Sequence, residues 1–488
     1  MPLPRSFKTD ESFLEKIAIG ATGTRRVIEH LRVQGHSPIE LERGSTSFKI
    51  WKAIKIKRLR VPDILCLKCG RRAESRAKTK MEISMSHSTA VQERGWDFGL
   101  NAEDVVALAH CKRVGQGPLD WSASQLVQYI SVAQLRKAWD AGNVMIPRPK
   151  GAGEGFEIRA TWPAAIASDH GVVEGVDSDI IRYRRASTGR LTTLRLNRRA
   201  GQLQPLVSLG HHVEPNQIVA AVIPVQSSWH CSREASLQTY IQLSGSTSVT
   251  DRYTATKALA HITSGKATDI LRNRLQDTGE HIYVRLEAAS GLMRADVDLG
   301  PEFFLSAIQD EYLENRLEAV IVLSEVGTED AVQLLLGTLQ DDNQHPEIRA
   351  GAAWSLGEIA AYPALTPLVD CFNSLEMVVK IEAARALAKI ARSHQAEVIE
   401  ILGRSDPLKR PGIAWALSKA GGFTVEQVLS APMDNDAREW VAYIIGTQDQ
   451  DALLPEIEKL SSEDPELYFA VTVLWKILSS WTYGLEEH

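Results

Sequence analysis

The sequence predicts a multidomain protein: an α/β core in front, a small all-β domain in the middle and an all-α solenoid behind. Three observations predict it. Helical and strand periodicities mix over the first 147 residues. Short alternating runs of Val, Ile, Leu and Gly fill residues 156–225. A pattern with a period near 30 residues then runs through the back half. The expected divisions are 1–147, 156–228 and 245–488, with RPKGAGEG (148–155) as a linker.

With 488 residues, 44% hydrophobic and 24% charged, the chain has the composition of an ordinary globular protein. It holds no run of about 18 apolar residues, the length a membrane helix needs. MPLPRSFKTDESF has no apolar core region, so it does not read as a secretory signal. Five scattered cysteines predict a reducing compartment, and a cytoplasmic location is expected. The net charge of −6 conceals an asymmetry. Residues 251–488 hold 20 Lys and Arg against 38 Asp and Glu, and the first 250 hold 35 against 23. A basic front half suits nucleic-acid phosphate.

Residues 11–34 predict an amphipathic helix with Phe13, Ile17, Ile19, Val27, Ile28 and Leu31 inward, stopped by Gly35. Glu29 on this helix reads as either a metal ligand or a solvated carboxylate. Ser37–Arg43 predicts the first strand, with Glu40 and Glu42 on one face. Lys49 to Arg60 carries six cations and no carboxylate. Lys52, Lys55, Lys57, Arg58 and Arg60 there form a candidate phosphate-binding arm. Trp51 within it is a base-stacking or a core residue.

The stretch VPDILCLKCGRRAESRAKTK (61–80) predicts two extended runs joined by a basic turn that holds Arg71 and Arg72. Asp63 opens the first run. Glu74, Arg76 and Lys78 share a face of the second, because strand side chains alternate. Two carboxylates and nearby cations are what divalent-metal phosphodiester chemistry requires. The turn also contains Cys66-Leu-Lys-Cys69-Gly70, the shape of half a zinc knuckle. Two more ligands are needed, with His87, His110, Cys111 and the His230-Cys231 pair as candidates. Otherwise Cys66 and Cys69 are a buried and a half-buried thiol on a hairpin.

Pro62-Asp63 followed by Glu74-Ser75-Arg76 resembles the PD-(D/E)xK nuclease superfamily, in its resolvase-like and restriction-like branches. IAIGATGTRRVIEHLRVQGHSPIELERG (17–44) is similar to the opening helix and strand of those folds. The resemblance covers about the first quarter of the chain. It implies a restriction-endonuclease-like core and Mg²⁺ or Mn²⁺ held by Asp63 and Glu74. Arg76 stands where the family usually has Lys, and Lys78 is one strand step further on. MEISMSHS (81–88), Trp96–Leu100 and Asp104–Cys111 predict further strand segments, and 122–141 predicts a helix capped near Ser122 or Ser124.

Seven arginines and no acid lie between Ile180 and Gly201; Arg182, Arg184, Arg185 and Arg195 are candidate phosphate contacts. Residues 201–224 resemble barrel-sandwich hybrid domains, without a lysine for a lipoyl or biotinyl group. His211-His212 reads as a surface turn.

From residue 252 a basic residue is followed seven positions later by Leu, with small residues between. The instances are RYTATKAL, RLEAASGL, RLEAVIVL, RAGAAWSL, KIEAARAL and RPGIAWAL, with REWVAYII a weaker seventh. They begin at 252, 285, 316, 349, 380, 410 and 438, each after an apolar helical run. This resembles HEAT repeats of the short bacterial type, also found in bilin lyase subunits. The basic residues are expected to bond carboxylates of the adjacent unit. SSEDPELYFAVTVLWKILSSW predicts a capping helix.

These readings combine into a metal-dependent DNA endonuclease or DNA-processing protein on a HEAT scaffold, with DNA and a protein as partners. The resemblance implies a place in bacterial defence or repair. The alternative is a catalytically inactive nucleic-acid-binding scaffold for a partner protein.

Overall fold

The computed structural model describes residues 10–47, 54, 59–147, 157–198, 201–231, 235–430 and 432–483. Two compact units are present; among the described residues the first runs to Ile262 except for Ile54, which belongs with the second, and the second otherwise opens at Thr263. The first is mixed α/β and the second all-helical.

Helix α1 (Asp10–Val33) buries Ala18, Ala21, Val27, Ile28 and Leu31. It crosses close to a strand at Gly23, where an added Cβ would lie 2.6 Å from Ala77 Cβ. Gly35, at φ +85°, and a bond from the His36 N–H to Leu31 O at 3.0 Å close the helix.

Strands β1 (Pro38–Glu40), β2 (Ile64–Cys66) and β3 (Arg72–Lys78) are antiparallel neighbours. The chain then leaves this sheet for β4 (Ile83–Ser88) and returns as β5 (Val105–Arg113), parallel to β3. β6 (Trp121–Ser131) closes the order β1-β2-β3-β5-β6. Alternation along β5 builds two cores. Val105, Ala107 and Ala109 face α1 with Val27 and Leu31. Val106 and Leu108 face a second layer containing Met85, Trp96 and Trp162.

The helix expected over 122–141 is a strand followed by the short helix α2 (Val132–Asp140). Val127, Tyr129 and Ile130 favour extended backbone, and ladder pairing such as Val106↔Ile130 overrides the local helical pattern. The residues from Trp96 to Leu100 are turn rather than strand. β4 is a separate strand paired with β7 (Glu157–Trp162).

The middle segment is β-rich, as its composition indicates. It runs through β8 (Ala164–Ile166), β9 (Gly171–Val176), β10 (Ile180–Arg185), β11 (Leu191–Arg195), β12 (Asn197–Arg198), β13 (Gly201–Gln202), β14 (Gln204–Pro205), β15 (His212–Val213) and β16 (Ile218–Ala221). Sheets β11-β10-β9-β15 and β14-β16-β8 enclose Val173, Ile181, Tyr183, Val213 and Val219.

Paired helices follow: α3 (Leu237–Ser244) with α4 (Val249–Leu259), α5 (Gly265–Gln276) with α6 (Ile282–Arg294), and α7 (Leu299–Ala307) with α8 (Leu313–Val326). Next come α9 (Glu329–Gln340) with α10 (Pro346–Ile359), α11 (Leu365–Asp370) with α12 (Met377–Ala391), and α13 (Gln395–Arg404) with α14 (Arg410–Ala420). α15 (Val425–Leu429) pairs with α16 (Asn435–Gly446), and α17 (Gln450–Glu463) and α18 (Pro465–Tyr483) end the array. From α6 onward each second helix packs on the next, through α8, α10, α12, α14 and α16 to α18. That stacking is a solenoid. The pair α3–α4 carries the same sequence pattern but belongs to the first unit. Tyr253 donates to Leu41 O at 3.2 Å, and Tyr240 to Leu67 O at 3.2 Å.

The repeated arginines are structural, with a difference from expectation. Arg285 Nε donates to Leu275 O and Arg349 Nε to Leu339 O, each at 3.0 Å. Both acceptors are carbonyls in the last turn of the preceding helix, where unpaired oxygens and the helix dipole attract a cation. Arg410 does bond carboxylates of the next pair, Asp434 and Asp436, at 2.7 Å.

Candidate functional site

The antiparallel pairing Ile64↔Ala73 sets Asp63 beside the start of β3. Its Oδ2 accepts the Ser75 N–H at 2.7 Å, and the side chain is buried. Burial, then the charges of Glu74 and Glu42, push its carboxyl well above the ordinary range; Arg76 and the Ser75 N–H pull the other way. Of the two strand carboxylates Glu40 and Glu42, only Glu42 faces the site. Glu40 instead accepts from Ser45 Oγ and from the N–H and hydroxyl of Thr46.

A cleft of about 390 Å³ is lined by Glu42, Arg60, Glu74, Arg76, His87 and Arg94 among others, so Asp63's two acidic neighbours reach its wall while Asp63 itself stays buried. Its walls are mostly polar, with Trp96 and Phe98 on one side. His87 Nδ1 accepts the Trp96 N–H at 3.3 Å, so this histidine also shapes the cleft wall.

Glu74 and Arg76 share a face of β3 as expected, and they pair with each other at 2.8 Å. Lys78 is turned elsewhere. Its Nζ donates to Ser84 O and Oγ, both at 2.8 Å, and burial lowers its pKa to about 8. Glu29 is exposed and pairs with Arg26 at 3.2 Å; it is not brought to Asp63.

The expected phosphate contacts divide. Arg60 is exposed at the cleft. Arg71 is half-buried, its guanidinium 5.7 Å from the centroid of Trp229. Arg72 is a correction: it is 3% exposed and clasps the buried Asp104, so it presents nothing to a ligand surface. Arg182, Arg184 and Arg195 lie on one face of the β10–β11 pair, where Arg182↔Thr193 and Ile180↔Arg195 are the register. Arg182 meets Asp177 at 3.4 Å, and Arg184 grips Glu174 at 2.6 and 2.8 Å. Arg185 donates to Thr192 Oγ1. Lys52, Lys55, Lys57 and Arg58, with Trp51, lie outside the described residues.

The knuckle turn gathers a second group. Cys66, Cys69, Cys231 and His36 bring one donor atom each within 4.8 Å of one another. Of the sequence candidates Cys231 joins the group, and His87, His110, Cys111 and His230 do not. His36 was missed. It stands 30 positions before Cys66, and only the cap that ends α1 aims it there. Hydrogen bonding from Cys69, and further from His36 and the Ser37 N–H, holds the Cys66 thiol down at about 3. The same bond to Cys66 raises Cys69, and burial raises Cys231.

No described helix is long and apolar enough to cross a membrane. No curated protein matches the chain. Three similar solved structures are the complex of CpcE and CpcF of phycocyanin lyase from Nostoc sp. PCC7120, human deoxyhypusine hydroxylase with glycerol, and a computationally designed armadillo repeat protein. The first is 17% identical over 51% of this chain and 97% of that chain, with a TM-score of 0.26. The second is 19% identical over 42% and 83%, at 0.23. The third is 18% identical over 38% and 99%, at 0.24. A family model for HEAT repeats matches residues 301–388. The C-terminal helix pairs are thus HEAT repeats over that span, within a stack that continues the same packing on both sides.

Proposed function

We propose that the first unit is a divalent-metal-dependent DNA endonuclease or DNA-processing domain, and that the helical array docks a protein partner. The carrying observation is the crowding of the buried Asp63 by Glu74 and Glu42, two carboxylates that line a polar cleft. Like charges packed around a buried carboxyl favour a bound cation, and hard carboxylate oxygens fit Mg²⁺ or Mn²⁺. Asp63 and Glu74 would hold that ion, with Glu42 beside them. When bound, such an ion supplies Lewis-acid stabilisation and an activated water. Arg60 and Arg94 at the cleft are suited to hold phosphate, and Arg195 is a further exposed cation, whereas Arg182 and Arg184 on the same face are neutralised by Asp177 and Glu174. The order α1-β1-β2-β3, followed by a parallel strand, supports the nuclease resemblance. A role in bacterial defence or repair rests on that resemblance alone.

A second reading has its own observation. Arg76 is spent on Glu74 and Lys78 on Ser84, so the expected position for a water-orienting lysine is not filled by a free amine. That favours a domain that binds DNA without cutting it. Plasmid cleavage with Mg²⁺ or Mn²⁺ separates the two. Wild type should cut, and Asp63→Ala with Glu74→Ala should lose at least about 10²-fold of that activity. Equal cutting by both excludes this site. Salt-dependent binding without cutting, unchanged by EDTA, establishes the second reading.

A further inference from the structure

We propose that His36, Cys66, Cys69 and Cys231 form a four-coordinate structural zinc site that ties together three segments of the first unit. This does not rest on the nuclease reading. A tetrahedral centre with Zn–S near about 2.3 Å and Zn–N near about 2.0 Å places its donor atoms roughly 3.5–3.8 Å apart. The four donors here lie within 4.8 Å of one another, and Cys69 Sγ stands 3.5 Å from His36 Nδ1. Cys66, Cys69 and His36 are buried and Cys231 is half-buried, as a closed site requires.

The surroundings prepare the donors. His36 Nε2 lies 2.6 Å from Trp229 O. A carbonyl accepts only, so that nitrogen carries the proton and Nδ1 is left with a free lone pair facing the sulfurs. The imidazole also stacks on the Trp229 ring at 4.8 Å. The Ser37 N–H donates to Cys66 Sγ at 3.3 Å, which favours a thiolate. In the knuckle, Gly70 at φ +70° donates its N–H to Cys66 O at 2.8 Å, and this turn brings both sulfurs to one side. Three soft sulfurs and one imidazole, with no carboxylate, select zinc over Mg²⁺ or Ca²⁺.

The segments joined are distant in sequence. His36 precedes the three-residue edge strand β1, Cys66 ends β2, Cys69 lies in the β2–β3 turn, and Cys231 follows the middle β region. Closing such long loops is where a cross-link constrains an unfolded chain most. The ion would fix the end of the hairpin that carries Asp63 and Glu74.

The test uses the full chain purified under reducing conditions, with metal content measured by mass spectrometry and Co²⁺ exchange followed in the visible spectrum. We expect one zinc per chain and, after exchange, the intense absorption of tetrahedral thiolate-bound Co²⁺. Cys69→Ser and Cys231→Ser should lose the zinc on dialysis, whereas Cys111→Ser and Cys371→Ser keep it. Wild type needs no variant to fold: stripping its zinc with a chelator should lower the melting temperature, and re-adding zinc should restore it. Reduced wild type that contains no zinc and takes up neither added zinc nor Co²⁺ overturns the proposal. So does full zinc retention in folded Cys69→Ser.

Discussion

The Arg72 guanidinium holds both oxygens of Asp104, Nε to Oδ1 at 3.0 Å and Nη2 to Oδ2 at 2.6 Å. The side chains are 4% and 5% exposed. The parallel register Ala73↔Val105 puts the two residues side by side at the head of neighbouring strands. Asp104 also accepts the Asn101 N–H at 2.6 Å, and Arg72 reaches Thr254 on α4 at 3.5 Å.

Asp104→Ala should therefore destabilise the protein by about 3–5 kcal/mol, because it strands a buried guanidinium. The pair Arg72→Met with Asp104→Leu should recover at least half of that loss, since an apolar pair leaves no charge unpaired. Denaturant unfolding followed by tryptophan fluorescence reads both. A loss under 1 kcal/mol for Asp104→Ala would count against the buried pair.

Asp63 gives a pH- and metal-linked prediction. Its folded-state pKa is raised, so the folded state binds the extra proton. Its contribution to stability is complete below the unfolded value and is lost as pH rises through the folded one. In EDTA, Asp63→Asn should be more stable than wild type at pH 8 and show little difference at pH 4. Mg²⁺ or Mn²⁺ at pH 8 should stabilise wild type by about 2.7 kcal/mol at 100 times its Kd, and leave the Asn variant unmoved. Melting curves at two pH values, with and without metal, decide this without any cleavage assay.

Lys78 titrates in the opposite sense. Its folded pKa of about 8 lies below the ordinary 10.5, so the unfolded chain holds more protons between those values. Stability gained from this residue rises with pH across that window. The stability of Lys78→Met relative to wild type should fall by on the order of 2–3 kcal/mol from pH 7.5 to 10.5. A pH-independent difference would mean that the amine is not desolvated.

In the repeats, Arg349→Met should cost about 1–3 kcal/mol, because Leu339 O loses its donor inside the stack. Arg404→Met, whose guanidinium sits at an exposed pair with Glu400, should move the midpoint little. Similar losses in both would deny the arginine its helix-capping role.

Features carried by short-range pattern were legible in the sequence. The 3.6-residue period marks α1, the period of 2 puts Glu74 and Arg76 on one face, and the repeated Arg…Leu spacing marks the second helices from α4 to α16. Features that depend on what lies across the fold were not. Nothing near Arg72 in sequence announces Asp104 as its partner, so a basic turn read as a phosphate contact. His36 joins three cysteines only because a left-handed cap turns the chain back at Gly35. The segment 121–131 carries Gln and Ser at helical spacings, and only its pairing with β5 makes it a strand.

The placement of α3–α4 has a consequence for how such a protein can be recombined. Helix pairs beyond Thr263 repeat one packing rule, so units there are open to duplication, loss or exchange during evolution. The first pair is not interchangeable. Tyr240, Tyr253 and Thr254 are fitted to Leu67, Leu41 and Arg72, and a generic repeat in that place would leave those three contacts unmade. A recombination breakpoint is tolerable after Ile262 and damaging before it.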